Sequence, residues 1–300
     1  MEQLDYLCVG HVTRDLTPKG PSVGGTVTFS TRTAQALGMR VAVVTSAEPD
    51  YDLSAALPGI PVAIRPAAAT STFENIYTPS GRRQVLHSVA EPLDLCAIPP
   101  EWRAPRILHL GPLTNEVDPA LLASCSSEVI GLTPQGWHRC WDEAGHVHYA
   151  DWPAAHDTLP LATAVVVSWE DIGDEAAWQV YRARSRILVI TNGAAGSEVH
   201  FEGDCRHFPP PMVHEVDPTG VGDIFAAAFF VRLLENGGDP WGAAYFATHI
   251  AAPTVERRGL DGIPTAEEVA AVRASLTGVP EAELHGGCGD RSAQVQDPRA

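Results

Sequence analysis

Asp217-Pro218-Thr219-Gly220-Val221-Gly222-Asp223 is the stretch whose reading decides the fold. Two glycines flank one apolar residue, and a carboxylate follows. Then comes Ile224-Phe225-Ala226-Ala227-Ala228-Phe229-Phe230, apolar on every side. A run apolar all round predicts a buried helix. The glycines then stand at its N-terminus, where unpaired N–H groups and the macrodipole attract an anion. Glycine lets the backbone approach that anion closely. Asp223 is held beside this anion hole, a layout suited to moving a charged group onto a hydroxyl whose proton Asp223 removes. An isolated G-x-G-D is more often a turn with an Asp cap. The buried helix behind it and two further motifs decide against that here.

The first of these is Thr191-Asn192-Gly193-Ala194-Ala195-Gly196, which follows an apolar strand and precedes a hairpin. Its glycines suit a tight turn passing close to a ligand. The second pairs Asp15 with Gly24-Gly25. Asp15 comes just after the first strand, at the carboxyl edge where open α/β sheets bind ligands. A carboxylate there accepts hydrogen bonds from two vicinal hydroxyls, and Gly24-Gly25 removes side chains where a small polyol would lie. Taken alone, Thr191–Gly196 is a weak signal against an ordinary turn, and Asp15 and Gly24-Gly25 read equally well as a turn residue and a flexible loop.

Together these segments resemble the ribokinase-like (PfkB) carbohydrate kinases over about residues 5 to 270. Asp217–Asp223 is similar to the family's D-[TP]-T-G-A-G-D signature, with Val221 in place of the usual Ala. The resemblance implies Asp223 as catalytic base and the amides of Gly220, Val221 and Gly222 as the anion hole. Thr191–Gly196 resembles the T-x-G-x-x-G element that borders ATP, implying Thr191, Asn192, Gly193, Gly196, Thr219 and Gly259 as nucleotide contacts. Asp15, Gly24 and Gly25 fall where the family holds its acceptor, and Phe29 is read as a less polar wall beside it.

The details depart from ribokinase. Its G-G-K-G-A-N pattern becomes Gly24-Gly25-Thr26-Val27-Thr28-Phe29, which with Thr133–Arg139 and Thr254–Gly259 looks closer to plant-type myo-inositol kinases. Where the family carries N-x-x-E for Mg²⁺, this chain has Ser168-Trp169-Glu170-Asp171. Asp171, or Glu170 instead, is then the implied magnesium residue. A monovalent cation such as K⁺ near Asp217 follows by the same analogy. The resemblance thus implies a kinase transferring phosphate from ATP to a small sugar or cyclitol, with myo-inositol the first choice. Two alternatives stand beside it: a nucleoside kinase of the same fold, and a non-catalytic sugar- or nucleotide-binding regulator.

Composition narrows the field. The 300 residues fit one large domain or two small ones, and 45% apolar content suffices for a large core. A net charge of −17 argues against sequence-independent binding of nucleic acid or anionic membrane. No apolar run approaches the roughly 18 residues of a membrane span. The acidic start Met1-Glu2-Gln3-Leu4-Asp5 is unlike a signal peptide. Six scattered cysteines without a C-x-x-C pair indicate neither zinc nor a disulfide framework, so a reducing cytoplasm is expected. Lys19 is the only lysine, and no G-x-x-x-x-G-K-[ST] occurs, which excludes a Walker-type loop. Phosphate charge must be met by amides, arginine or a metal.

Short apolar strands at Tyr6–Val12, Val41–Ser46, Arg106–Leu110, Glu128–Thr133, Thr163–Ser168 and Ile187–Thr191 alternate with helices. These are placed at Thr26–Leu37, Asp118–Ser124 and Asp174–Ala183. The pattern predicts an α/β fold, a mostly parallel central sheet covered on both faces. Pro18–Gly25 reads as a loop. Ser71–Tyr77 and Arg83–Val89, around a Pro79-Ser80-Gly81 turn, join Pro61–Arg65 in an expected small β lid (61–65 and 71–89). Glu198–Phe208 reads as a second hairpin. Asp239 caps one late helix, and Thr265 with Glu268 forms a capping box for the last. Residues 1–279 are thus read as one kinase domain, monomeric or dimeric through the lid, and 280–300 as a disordered tail.

Overall fold

The computed structural model describes residues 3–18, 20–78, 81–276 and 286–287. Its main sheet has ten strands. From one edge they run Val62–Pro66, Val41–Ala47, Tyr6–Val9, Ile107–Leu110, Val129–Leu132, Ala164–Ser168 and Ile187–Thr191, all parallel. Ser197–Phe201, Asp204–Phe208 and the two-residue Gly286–Gly287 extend the other edge antiparallel. In chain order the parallel strands read 3-2-1-4-5-6-7. The order reverses between Tyr6–Val9 and Ile107–Leu110, and ligands of open α/β sheets bind in the crevice outside that reversal.

Strand residues alternate between two cores, as the pleat requires. Tyr6, Cys8, Val41, Val43, Ile107, Val129, Val166 and Val189 face one side, against Phe229, Phe230 and Phe246. Leu7, Val9, Ala42, Val44, Leu108, Leu110, Val165 and Ile190 face the other, against Trp137, Trp152 and Tyr181. The first core is closed by helices Thr26–Ala36, Val221–Glu235 and Pro240–Ala251. The run 224–231 is buried without exception, as an all-round apolar helix predicts. The helix starts are also as read. Asp239 accepts from the Trp241 and Gly242 amides, and Thr265 and Glu268 make the reciprocal capping box.

Three expectations need correction. Val62–Pro66 does not join the lid but pairs in parallel with Val41–Ala47 at the edge of the main sheet. Pro18–Gly25 is not a loop, since Gly20–Gly24 is a strand paired with Thr13–Thr17. The lid is therefore a four-stranded sheet in the order Gly20–Gly24, Thr13–Thr17, Thr72–Thr78, Gly81–Ser88. Its turn residues Pro79 and Ser80 lie outside the described residues. The predicted helix Asp118–Ser124 shrinks to the single turn Leu121–Ser124.

Cys8, Cys96, Cys125 and Cys140 are free, while Cys205 is disulfide-bonded, where the sequence indicated no disulfide framework. Of the expected tail, 280–285 and 288–300 lie outside the described residues. No helix among the described residues is long and apolar enough to cross a membrane.

Candidate active site

Chain leaving the first strand runs through Gly10–Val12 directly into the lid strand Thr13–Thr17. One buried carboxylate pins this crossing. Glu116 accepts the His11 amide at 2.9 Å and the amides of Leu113 and Thr114 at 2.9 and 2.6 Å. Asp15 thus stands on the lid, not at a turn on the sheet edge. Thr13 Oγ1 donates to it at 2.8 Å, and burial raises its carboxyl above the ordinary range. Gly24 lies opposite Thr13 in register, and a Cβ there would collide with the Asp15 carboxylate. Gly24 therefore makes room for Asp15 itself. Gly25, at φ +94°, starts helix Thr26–Ala36, and a Cβ on it would press on the His11 carbonyl.

On the opposite side, Gly220 takes the left-handed conformation (φ +79°, ψ −2°) as N-cap of helix Val221–Glu235. A Cβ on Gly220 would strike the Phe29 ring. Phe29 is only 3% exposed, so it supports the anion loop from beneath and is not a wall of the acceptor pocket. A Cβ on Gly222 would meet open space. The Val221 amide donates back to Pro218 O at 3.2 Å. The amides of Gly222 and Asp223 carry no partner among the described residues, as expected at a helix start. The amides of Gly222 and Asp223 are thus left free at the helix start, while that of Val221 is engaged within the turn.

Asp217 joins this loop to a second one. Its Oδ1 accepts the Thr219 amide and its Oδ2 the Gly259 amide, both at 3.0 Å. Thr219 and Gly259, 40 residues apart in sequence, are thereby brought to the same place. The turn after Ile187–Thr191 closes with the Asn192 amide on Gly196 O at 2.8 Å and the Gly196 amide on Gly193 O at 3.0 Å. Thr191 pairs with Ser168, so this turn and Ser168–Asp171 leave the carboxyl edge side by side.

Asp223 is where these parts meet. Burial pushes its carboxyl up to about 6. The Thr26 hydroxyl and the Arg139 charge act against that, while the charges of Asp171 and Asp15 push the same way as burial. The charges of Asp15 on the lid and of Asp171 in the turn after Ala164–Ser168 thus both reach Asp223 on the helix. Glu170 is exposed. Of the two residues read for magnesium, Asp171 is half-buried and its charge is felt at Asp223. A single carboxylate completed by waters and phosphate oxygens suits Mg²⁺.

Arg139, Gln135 and Thr26 are the site residues that sequence reasoning misses. Thr133–Arg139 stands out in sequence only as a motif of resemblance, and nothing local tells that its arginine lies beneath the lid.

Comparison with known proteins now bears on this geometry. Residues 170–266 match the pfkB family carbohydrate kinase profile. A pyrophosphate-dependent kinase in the ribokinase family, solved with a pyrophosphate analogue and myo-inositol, superposes with a TM-score of 0.75. It is 20% identical and covers 89% of this chain and 99% of that one. The fold is ribokinase-like.

The inositol 3-kinase of Zea mays is 32% identical over 124 residues, 39% of this chain and 30% of that one. The cytidine kinase of Thermococcus kodakarensis is 28% identical over 251 residues, 75% of this chain and 87% of that one. The chain spans about three tenths of the length of the first three curated relatives it matches.

Proposed function

We propose that this chain is an ATP-dependent kinase phosphorylating a hydroxyl of a small sugar or cyclitol, with myo-inositol the preferred acceptor. The observation that supports this reading is the helix-start carboxylate Asp223, three residues after the left-handed Gly220, raised by burial and by the charge of the lid carboxylate Asp15.

Asp15 orients the acceptor by accepting from two hydroxyls. Asp223 takes the proton of the hydroxyl to be phosphorylated, and that oxygen attacks the γ-phosphorus in line as the bond to the β-phosphate oxygen breaks and ADP leaves. The amides of Gly220 and Gly222 stabilise the transferring phosphoryl group. Thr191, Asn192, Gly193, Gly196, Thr219 and Gly259 border the nucleotide. When bound, Mg²⁺ supplies positive charge against the phosphate oxygens, with Asp171 as the chain's own oxygen donor. Asp217 is the carboxylate beside which a monovalent cation such as K⁺ would lie.

The acceptor choice rests on the Gly24–Phe29 pattern and on the similarity to the maize inositol 3-kinase. A nucleoside acceptor is the second reading, favoured by the length of the match to cytidine kinase. ADP release measured over myo-inositol, ribose, fructose, cytidine and adenosine tests both. Highest turnover with myo-inositol supports the first reading. Turnover with a nucleoside and none with inositol replaces it by the second, and no acceptor-dependent release at all overturns the kinase.

A further inference from the structure

Three side chains run in a line from beneath the lid to Asp223. The Arg139 guanidinium, 9% exposed, donates through Nη2 to Gln135 Oε1 at 2.8 Å and through Nη1 to Leu113 O at 3.3 Å. Gln135 Nε2 donates to Thr26 Oγ1 at 3.1 Å. The Thr26 hydroxyl acts on the Asp223 carboxyl as a hydrogen-bonding group and lowers it.

The backbone is shaped to hold this line. Gly136 lies so close to Pro112 and Leu113 that a Cβ would collide with them, which seats the turn Pro134–His138 and with it Gln135. The Phe73 ring of the lid lies 6.0 Å from the guanidinium, and Asn115 Nδ2 donates to the Arg139 carbonyl at 2.6 Å.

The line has a direction. Arginine only donates. It therefore takes the oxygen of the Gln135 amide and turns the NH₂ toward Thr26, the orientation that an amide in this network must adopt. Thr26 Oγ1 then accepts from Gln135, and its single proton is left for Asp223, the carboxyl it lowers. An ionised carboxylate only accepts. A donor-only group at one end and an acceptor-only group at the other make every bond consistent when Asp223 is ionised, and such chains polarise one another.

We propose that Arg139 is a positioning residue for Asp223, acting through Gln135 and Thr26 to fix a hydrogen-bond relay that favours the ionised base. The cleft requires it. Asp15 on the lid strand and Asp171 after the central strand both oppose ionisation of Asp223, as does burial. Tyr6 and Cys8 on the first strand also feel the Asp223 charge, and burial holds both well above their ordinary values, so they are neutral and lend no positive charge. Among the largest influences on Asp223, the Arg139 charge is the cationic one. The catalytic consequence rests on the kinase reading above, whereas the relay itself does not.

The test is a direct titration of Asp223 by ¹³C NMR of protein labelled at the aspartate carboxyls, with Asp223→Asn identifying the signal. The variants are Gln135→Leu and Arg139→Met, and no substrate is needed. Both should raise the Asp223 midpoint by about one pH unit or more, with Arg139→Lys restoring part of the shift. In turnover assays the acid limb of kcat/KM should move by the same amount, a change that loss of packing alone would not produce. Should Arg139→Met fail to fold, Gln135→Leu decides alone, because it keeps the arginine and cuts only the relay. An unmoved midpoint in folded Gln135→Leu overturns the relay, even if Arg139→Met shifts it through charge. A moved midpoint in a protein without kinase turnover supports the relay and overturns the kinase reading instead.

Discussion

The two sides of the cleft are built by opposite means. The side proposed for phosphoryl transfer is local: Asp217–Asp223 and the helix it starts are contiguous, and the turn after Ile187–Thr191 is one short segment. The acceptor side is assembled from afar. Asp15 sits on a strand held by Gly20–Gly24 on one side and by Thr72–Thr78 on the other. Its base is clamped by Glu116, about a hundred residues on. Chemistry that needs free amides and one carboxylate can be met by a helix N-terminus alone. Recognition of a polyol needs walls from several directions, and these come only with tertiary structure.

If this contrast holds, damage on the phosphoryl side should strike turnover and damage on the acceptor side should strike acceptor affinity. The largest effect is expected for Asp223→Asn, with kcat falling about 10²–10⁴-fold while ATP binding, measured by calorimetry, is retained. A variant keeping more than about a tenth of the wild-type kcat would break the assignment of the base.

Two adjacent glycines sharpen the same side. Gly222→Ala projects its Cβ into open space and should fold normally while kcat falls on the order of 10²-fold through crowding of the anion. Gly220→Ala meets the Phe29 ring at a positive φ and should lose stability by about 1–2 kcal/mol or more. Thermal melts and initial rates on the two variants separate these outcomes, and equal melting losses for both would refute the geometry.

The Asp223 carboxyl also links function to stability. Its value in the folded chain, about 6, lies above the ordinary 3.8. Between these values the folded state binds more protons than the unfolded chain, so stability from this group is full below about pH 4 and lost as pH rises through 6. Asp223→Asn should therefore raise the melting temperature of the ligand-free protein at pH 8, by up to about 3 kcal/mol of stability. The gain should vanish at pH 4, and an equal gain at both pH values would count against the raised value.

The smallest effect is expected far from the cleft. Thr265→Ala removes the capping box of helix Ala266–Ser275 and should cost about 1 kcal/mol with kinetics unchanged.

The same contrast explains what the sequence discloses. Helix Val221–Glu235, the strand Ile187–Thr191 and both late helix caps are legible because each is written in consecutive residues with a strong periodic or capping signal. The lid is misread because pairing partners are not written locally. Gly20-Pro21-Ser22-Val23-Gly24 has the composition of a loop and becomes a strand only against Thr13–Thr17. Val62–Pro66 is β-like wherever it pairs, and nothing in it says which sheet. Phe29 is read as a pocket wall because its spacing from Gly24-Gly25 is visible and its burial under Gly220 is not. Gln135 and Arg139 acquire meaning only when the turn Pro134–His138 packs on Pro112 and Leu113.

The division of labour between the two sides is tested most directly by Asp15→Ala, with the Michaelis constants for acceptor and for ATP measured side by side. Loss of a charged hydrogen-bond acceptor typically costs about 1.5–3 kcal/mol. The account predicts a fall of roughly 10–150-fold in kcat/KM for the acceptor, with the KM for ATP unchanged. A variant whose ATP KM rises while its acceptor KM stays put would contradict it and exchange the two sides of the cleft.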